Sequence, residues 1–528
     1  MKRIQKSLLA FFLCSLCVTG SFAQFSLSGQ LRTRTEYRDG FGNLVPNGAD
    51  PAVFTSMRTR LNFGYKWDRL SFGVSVQDVR VWGADASSIS NADGSKLMLH
   101  EAYADLILTN KADTSIKFKL LDLLSLKIGR QELAYDDARL IGNLDWLQQG
   151  RRHDMALLKA LHHGWQIEVG QAFNQNTDAF GYTGTGYVPG NVPAYVKNSI
   201  GELVPTPAGM VPLAANANAN SSKLGAPIYS NPPSTNGATQ DYKSFTSVYV
   251  SKKFKQTKLS ALFFNDHFGK YRLDSTGSAA SGYVYGRRFV STGTVDDFDY
   301  SGSNSRFTYG LMVNQLLGKP TGFGTIAIQA AYYAQSGENR DGIKQQNAYH
   351  YTVAATYQKG RFSFTPGYDV LSGQKTSTTA DEKFDPLYGT PHKHWGYMDY
   401  FYVGTGSAAG GLNNFYLKAK YVVKAFSFGL DYHNFALNQD MTKANGTIID
   451  RQLGNEFDFI ANVNINKFTN IEAGYSLMKA TNSMPFAKGQ ATTDVGASSF
   501  NKTGNWFYLM INIRPDFFHG KQAANKPS

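Results

Sequence analysis

The sequence predicts an all-β protein: a transmembrane antiparallel β-barrel of about 18 strands with short periplasmic turns and long extracellular loops. Three observations lead to this fold class. Residues alternate in polarity near the start of the chain, the connections between strands alternate between short and long, and the composition is rich in aromatic residues and glycine although its mean hydropathy is −0.32. In such a barrel half of each strand faces water, so an overall polar composition is expected.

Alternation is clearest between residues 25 and 38. Successive side chains of a strand point to opposite faces, so one face here suits lipid and the other suits water. The apolar face carries Phe25, Leu27, Gly29, Leu31, Thr33, Thr35 and Tyr37, and the polar face carries Ser26, Ser28, Gln30, Arg32, Arg34, Glu36 and Arg38.

Residues 1–23 have the pattern of an export signal. A basic start is followed by an apolar stretch, Ser7–Val18, that is too short to span a bilayer as an anchor would. Ser21–Ala23 places small residues where a signal peptidase cleaves, so the mature chain is predicted to begin at Gln24.

Both cysteines, Cys14 and Cys17, lie in this signal, which excludes disulfides and thiolate chemistry from the mature chain.

No later stretch of about 18 apolar residues would span a membrane as a helix. The formal net charge is +13, and the basic residues are scattered through the predicted strands. This distribution favours a lined cavity over a nucleic-acid-binding arm. The alternative to a membrane barrel is a secreted soluble β-protein.

The predicted strands number about 18, and residues 24–528 are predicted to form a single barrel. No fixed repeat is present, which argues against a propeller or solenoid. The last strand is followed by a short C-terminal tail. The strands are predicted at residues 25–37, 54–66, 70–81, 97–106, 124–132, 153–161, 165–174, 242–254, 257–269, 305–316, 323–335, 348–358, 362–371, 413–422, 426–435, 453–465, 468–478 and 505–513.

The connections alternate in length along the chain. Tight turns on one rim and long loops on the other are typical of outer-membrane barrels of Gram-negative-type bacteria, with the tight turns in the periplasm. The longest connection, 176–241, either narrows the pore or projects from the surface. The long connections are 40–52, 82–96, 176–241, 270–304, 372–412 and 479–504.

Arg32 and Arg34 fall on the polar face of the first strand, and Arg58 and Arg60 fall on that of the second. If the hairpin keeps its parity, Arg32 lies opposite Arg60 and Arg34 lies opposite Arg58. Like charges directly across a ladder are destabilising. The cluster is therefore either neutralised by nearby carboxylates or used to bind an anionic ligand, and the two roles are compatible. Glu36, Glu101 and Asp105 are the candidate counter-charges.

Motifs for metal binding or catalysis are weak. His392 and His394 have no carboxylate or cysteine at a ligand spacing, so no metal site is predicted. No Ser/His/Asp arrangement is indicated by spacing, and no cofactor is predicted. The sequence therefore predicts a protein that is not an enzyme.

Several short strings follow one another in a characteristic order along the chain: Gln77–Gly83, Gly129–Leu133, Asp137–Gly142, Asp145–Trp146, Gly150–Arg151, Gly367–Asp369, Phe384–Gly389, Asp431–His433, Leu453–Asp458 and Gly474–Ser476. Together they resemble the alginate export family of outer-membrane barrels over nearly all of the mature chain. The resemblance implies an 18-stranded barrel whose electropositive, arginine-lined pore passes a polyuronate.

The resemblance also implies roles for residues outside the first hairpin. It adds Arg80, Arg130, Arg139 and Arg151 as pore candidates, with Glu132, Asp137 and Asp145 as acidic partners. Simple alternation in the fifth strand turns Arg130 toward lipid, so an inward Arg130 requires a bulge near Gly129 or a position above the bilayer. Asp78 raises the same question in the third strand.

The predicted function is passive passage of an anionic solute across the outer membrane, most concretely a polyuronate such as alginate. The alternatives are a porin for other anionic oligosaccharides or small solutes, and a barrel-based envelope enzyme or adhesin. The expected partners are outer-membrane lipid, an anionic polysaccharide or oligosaccharide, and periplasmic export components, but not nucleic acid. The barrel is predicted to be monomeric.

Overall fold

The computed structural model describes residues 24–83, 97–112, 121–174, 192–213, 228, 242–375, 378–402 and 409–519. The predicted signal, residues 1–23, lies outside these residues, as do most of the predicted loops 82–96 and 176–241 and the end of the C-terminal tail. A search of the described residues finds no helix with the length and apolar character needed to cross a membrane.

Eighteen long antiparallel strands form the wall of one barrel. In chain order they are β1 (Gln24–Asp39), β2 (Ala52–Trp67), β3 (Leu70–Val81), β4 (Leu97–Asn110), β5 (Leu123–Gln131), β6 (His153–His162), β7 (Trp165–Phe173), β11 (Ser244–Phe254), β12 (Thr257–Gly269), β15 (Ser303–Lys319), β16 (Gly324–Glu338), β17 (Lys344–Lys359), β18 (Phe362–Leu371), β19 (Leu412–Val423), β20 (Phe426–Ala436), β21 (Gln452–Asn464), β22 (Thr469–Ala480) and β23 (Thr503–Ile513).

Shorter elements lie in the connections and after the last wall strand. They are β8 (Tyr195–Lys197), β9 (Leu203–Pro205), β10 (Met210–Pro212), β13 (Tyr271–Ser278), β14 (Gly282–Phe289), β24 (Asp516–His519), a 3-10 turn (Pro391–Lys393) and two short helices, α1 (Met484–Ala487) and α2 (Asp494–Ser498).

The sheet closes because β1 pairs with β2 on one side and with β23 on the other. The first and last wall strands meet over Leu31↔Ile513 to Asp39↔Asn505. Beyond Ile513 the chain continues as β24, which pairs with β1 near Ser26. A closed sheet leaves no unpaired edge in the membrane. The predicted fold class and strand number are confirmed.

Burial follows the predicted alternation. In β1, Arg32 and Glu36 are 3% and 1% exposed, whereas Leu31 and Tyr37 are 38% and 37% exposed. Apolar and aromatic side chains recur on the outward faces of the other strands, as lipid contact requires. Most of the polar side chains of β1 therefore point into the lumen.

Short turns join most of the strands at one rim, and several of them have two residues. Their residues adopt positive φ, for example Asp68 (49°), Lys255 (50°) and Lys424 (51°), which matches the right-handed twist of the flanking strands. The long connections leave the opposite rim. We call these the short-turn rim and the long-loop rim.

Two long connections fold back into the barrel. One is the β5–β6 connection, residues 132–152, named here the crossing loop. The other is the described part of the β18–β19 loop, residues 378–402. Together with wall residues they build a core inside the barrel in which Tyr388, Trp395 and Tyr400 are 0% exposed. The lumen is therefore filled on the long-loop side.

The lumen opens toward the short-turn rim. Along the inward face of β19, Asn414 is 0% and Tyr416 5% exposed, the Lys418 side chain is 25% exposed, and Lys420 is exposed. We call the space between the crossing loop and the short-turn rim the vestibule.

Candidate functional site: an arginine cluster under the crossing loop

Arg32, Arg34, Arg58 and Arg60 all project into the lumen and are at most 9% exposed. The hairpin register differs from the predicted pairing, because Arg32 lies opposite Arg58, while Gln30 lies opposite Arg60 and Ser56 opposite Arg34. A shift of two residues keeps every side chain on its face and changes only its partner, so alternation could not decide it.

The carboxylate of Asp145 lies among three of these arginines. It is 2.8 Å from Arg58, 3.5 Å from Arg32 and 3.9 Å from Arg60. Asp145 belongs to the crossing loop and is more than 80 residues away in the sequence from each of these three arginines. We call this arrangement the arginine cage.

Backbone carbonyl groups of the crossing loop extend the contact. Arg32 donates to the carbonyl oxygens of Asp145, Trp146 and Leu147 at 2.7, 3.2 and 3.1 Å. Arg34 donates to the Trp146 carbonyl at 2.9 Å, and its guanidinium lies 4.4 Å from the centre of the Trp146 ring. The arginines therefore hold the loop as well as its carboxylate.

Of the predicted counter-charges, Glu36 has that role toward Arg34 and Arg38, at 2.9 and 2.8 Å. Glu101 and Asp105 face the lumen but form no ion pair with an arginine within the described part of the chain. The Glu101 carboxylate instead accepts the backbone N–H of Glu132.

Glu132, at the start of the crossing loop, lies on the edge of the cage. Its carboxylate is 3.9 Å from Arg60 and 2.8 Å from the Nε2 of His100, and it also accepts from Asn143 at 2.8 Å. Burial raises the pKa of Glu132, but these hydrogen bonds and nearby charges lower it more, so its pKa lies below its ordinary value.

A second ion-pair group joins the crossing loop to β18. Arg139 is 3.1 Å from Asp137 and 2.6 Å from Asp369, which is 0% exposed on the inward face of β18. Burial lowers the pKa of Arg139, but Asp369 and Asp137 raise it well above its ordinary value. Conversely, Arg139 holds the pKa of Asp137 far below its usual range despite burial.

The loop reaches a third sector of the wall through Asp136. Its carboxylate accepts from Tyr249 and Ser260 at 2.8 Å and from Lys258 at 2.9 Å. Contacts with β1–β2, β18 and β11–β12 mean that the crossing loop spans the lumen.

Arg151, near the end of the crossing loop, has a neutral hydrogen-bond partner. Its guanidinium donates to the Gly389 carbonyl of the β18–β19 loop at 2.5 Å, and burial lowers its pKa to about 10. At neutral pH it remains charged. Its contact links the two inward loops.

Asp145 remains ionised in this setting. Burial raises its pKa, but the guanidinium groups of Arg58 and then Arg32 lower it more, so its pKa lies below the ordinary value. The side chain is 38% exposed, in contrast to 0% for Arg58. The open side of the cage therefore presents a carboxylate rather than a guanidinium.

Arg80 and Arg130 do not join the cluster, so the pore role that the resemblance implied for them is corrected. Arg130 forms a two-fold contact with Asp154, at 2.8 and 2.7 Å, on the outward face of β5 and β6. Arg80 pairs with Asp78 at 2.6 Å on the outward face of β3. The β5–β6 pairing runs past Gly129 without a register shift, so simple alternation decides the direction of Arg130.

The inward cations that reach the vestibule are lysines, which sequence reasoning missed. Lys159, Lys258 and Lys418 have side chains 36%, 39% and 25% exposed. The alternation of side chains along each strand could have identified these lysines, because each lies on the same face as buried polar residues. No group of three or more His, Cys, Asp or Glu within the described ranges fits a metal ion.

A family model described as alginate export matches residues 23–172. These residues comprise β1–β7 and the crossing loop, and so contain the whole arginine cage. The resemblance to the alginate export family is confirmed over this part of the chain. No curated protein matches the sequence significantly.

Solved structures of Pseudomonas aeruginosa outer-membrane proteins have a similar shape. OccK11 (OpdR) is 10% identical, with a TM-score of 0.51, and the match covers 94% of this chain and 96% of that one. OccK9 (OpdG) is 11% identical, with a TM-score of 0.49, covering 93% and 98%. At such identities the likeness concerns the fold alone.

The fold and the lumen define a class: an outer-membrane β-barrel of a Gram-negative bacterium, surrounded by lipid. Within that class, the alginate export match over β1–β7 supports a channel for anionic solutes. The family match and the fold point to outer-membrane channels, which are transporters.

Proposed function

We propose that this protein lets an anionic solute, most concretely a polyuronate such as alginate, pass through an arginine-lined lumen without chemical change. The observation that carries the proposal is the arginine cage: Arg58, Arg32 and Arg60 around the single carboxylate of Asp145, at 2.8, 3.5 and 3.9 Å. A solute carboxylate has the same charge and shape as the group already held there.

Guanidinium groups suit this task. Their planar fork matches the two oxygens of a carboxylate, and they remain charged when buried. A polyuronate carries one carboxylate on each sugar, so successive units can replace one another at a fixed cage. Passage in this account requires the crossing loop to withdraw Asp145, which is the exposed member of the cage.

Cations that line a pore lower the electrostatic barrier for anions and raise it for cations. Other anionic oligosaccharides and small carboxylates would use the same cage. They differ from a polyuronate in how affinity depends on length, because only a long chain can engage the cage and the vestibule together.

A monomer is the proposed state; β1 and β23 of the same chain close the barrel, so no second copy is needed to complete it. Periplasmic export components are proposed partners, which cross-linking from the short turns would identify.

The test is conductance of the purified protein in planar bilayers. We expect a reversal potential that favours anions and a block by uronate oligomers that strengthens with length, whereas neutral oligosaccharides of equal length do not block. Changing Arg32, Arg34, Arg58 and Arg60 together to serine should abolish anion preference in a barrel that still forms.

Changing the same four residues to lysine is the matched control. It keeps the charge but not the bidentate fork, so anion preference should persist while uronate block weakens. Retention of full anion preference by the serine variant would show that the four arginines only hold the loop.

A further inference from the structure

We propose a second anion-binding site in the vestibule, formed by Lys393, Lys418 and Lys420 and named here the lysine sector. It would take the carboxylates of a uronate chain that enters from the short-turn side, before that chain reaches the arginine cage. This inference rests on the proposed function and adds an entry site and a direction to it.

The three lysines come together from two elements. Lys418 and Lys420 are two residues apart on the inward face of β19, so their Cα atoms are separated by about 7 Å. The Nζ of Lys418 lies 3.4 Å from the backbone carbonyl oxygen of Lys393, in the 3-10 turn of the β18–β19 loop. Both Lys393 and Lys420 are exposed.

Unlike the arginine cage, the lysine sector includes cations that have no carboxylate partner among the described residues. Lys418 pairs with Asp431 at 2.6 Å. Lys393 and Lys420 have no carboxylate within 4 Å among the residues that the structure describes. Across the ladder Lys420 faces Ser363 on β18 and Gly429 on β20, which carry no charge.

Three inward lysines in other sectors of the vestibule already have partners. Lys159 lies 3.3 Å from Glu168, Lys258 lies 2.9 Å from Asp136, and Lys127 lies 3.7 Å from the ring centre of Tyr103. The charges of Lys393 and Lys420 are therefore more available to a solute than those of these three lysines.

The surroundings suit a sugar acid. Ser363 and Thr365 lie directly opposite Lys420 and Lys418 on β18, so hydroxyl groups adjoin the ammonium groups. Tyr397, partly exposed, has its ring centre 5.5 Å from the Nζ of Lys418. Ammonium groups for carboxylates, hydroxyl groups for sugar hydroxyls and one aromatic ring form a site for a carboxylated carbohydrate.

Lysine also fits a transient contact. An ammonium group binds as a flexible point charge without the fixed fork of arginine, so it releases a carboxylate readily. Conduction needs several sites that are weak enough to leave. The lysine sector would collect the chain and the arginine cage would select it.

The test is side-specific block of single channels by a uronate pentamer. Channel orientation is assigned with a maleimide-polyethylene glycol that reaches K467C in a short turn, because residues 24–528 contain no other cysteine. For Lys393→Gln with Lys420→Gln, we expect the dissociation constant for block from the short-turn side to rise about 5- to 10-fold at about 0.1 M salt, and the effect to fade as screening increases. Block from the long-loop side should change less than about twofold.

The matched control is Lys66→Gln with Lys253→Gln. These two lysines also lie near the short-turn ends of inward strand faces. Their substitution removes the same amount of charge from other sectors of the barrel. The control should leave block nearly unchanged, and lysine-to-arginine changes at 393 and 420 should retain it. Normal heat-modifiability on gels checks that each variant folds.

Two failures can be told apart. If the wild type is blocked but the 393/420 variant and the control behave alike, the lysine sector is wrong and the channel function stands. If the wild type passes anions but no uronate oligomer blocks it from either side, both the lysine sector and the polyuronate proposal are wrong.

Discussion

Replacing Asp145 with asparagine keeps the shape of the side chain and removes the charge that touches Arg32, Arg58 and Arg60. Separating a buried ion pair costs about 3–5 kcal/mol because it leaves an uncompensated charge. Asp145 is 38% exposed and Arg58 is 0% exposed, so water compensates part of the loss. We therefore expect a destabilisation of about 1–2 kcal/mol.

The change should alter conduction more clearly than stability. One unit charge about 6 Å from a permeating ion contributes about 0.7 kcal/mol even at the dielectric constant of water. That energy corresponds to roughly a threefold change in ion occupancy. Loss of the Asp145 charge should raise the anion-to-cation permeability ratio at least about threefold. Open-channel conductance should rise as well, because the crossing loop is held less firmly.

The assay is the reversal potential across a bilayer with a salt gradient. At about 0.1 M salt the screening length is roughly 10 Å, whereas at about 1 M it is roughly 3 Å, so the effect should shrink at high salt. Asp154→Asn is the matched control, because it removes the same charge from an ion pair on the outward face. An unchanged reversal potential in the Asp145 variant at low salt would refute the role of the arginine cage.

Three further outcomes are expected. Arg130→Ala should leave anion selectivity within about 20% of the wild type, since this side chain faces outward, and a loss of selectivity measured by reversal potential would contradict that placement. Because the pKa of Asp145 is lowered when the crossing loop is docked, the released loop binds more protons than the docked loop as pH falls. The stabilisation is complete above the ordinary carboxyl pKa and is lost as pH falls through the lowered value. Conductance should thus stay constant from pH 8 to about pH 5 and rise only below about pH 4, whereas a transition near neutral pH would be contrary to this account. Proteases added to intact cells should cut residues 291–297, which are exposed in a long connection, and spare residues 378–402, which pack inside the barrel; cleavage that requires a breached outer membrane would reverse the proposed topology.

The sequence alone determined the barrel and the direction of most side chains. Alternation in residues 25–38 depends only on neighbouring residues, so it correctly turned Arg32 and Arg34 inward. The same rule pointed Arg130 outward after Leu124, Leu126 and Ile128, and the structure agrees with that rule. Local spacing therefore carried more information about side-chain direction than motif resemblance did.

Only the tertiary structure decided what the arginines contact. Register depends on how the long connection of the hairpin closes, and a two-residue shift leaves the alternation unchanged. Arg32 and Asp145 are 113 residues apart in the chain, and no local pattern marks the inward path of residues 132–152. Glu101 and Asp105 were expected as counter-charges to the four arginines. Asp145 and Glu132, which the family resemblance implied as acidic partners, have that role because the crossing loop brings them there. Folding of this loop into the lumen buried the arginines and left lysines facing the vestibule, since long-range packing, rather than alternation, determines which inward charges meet water.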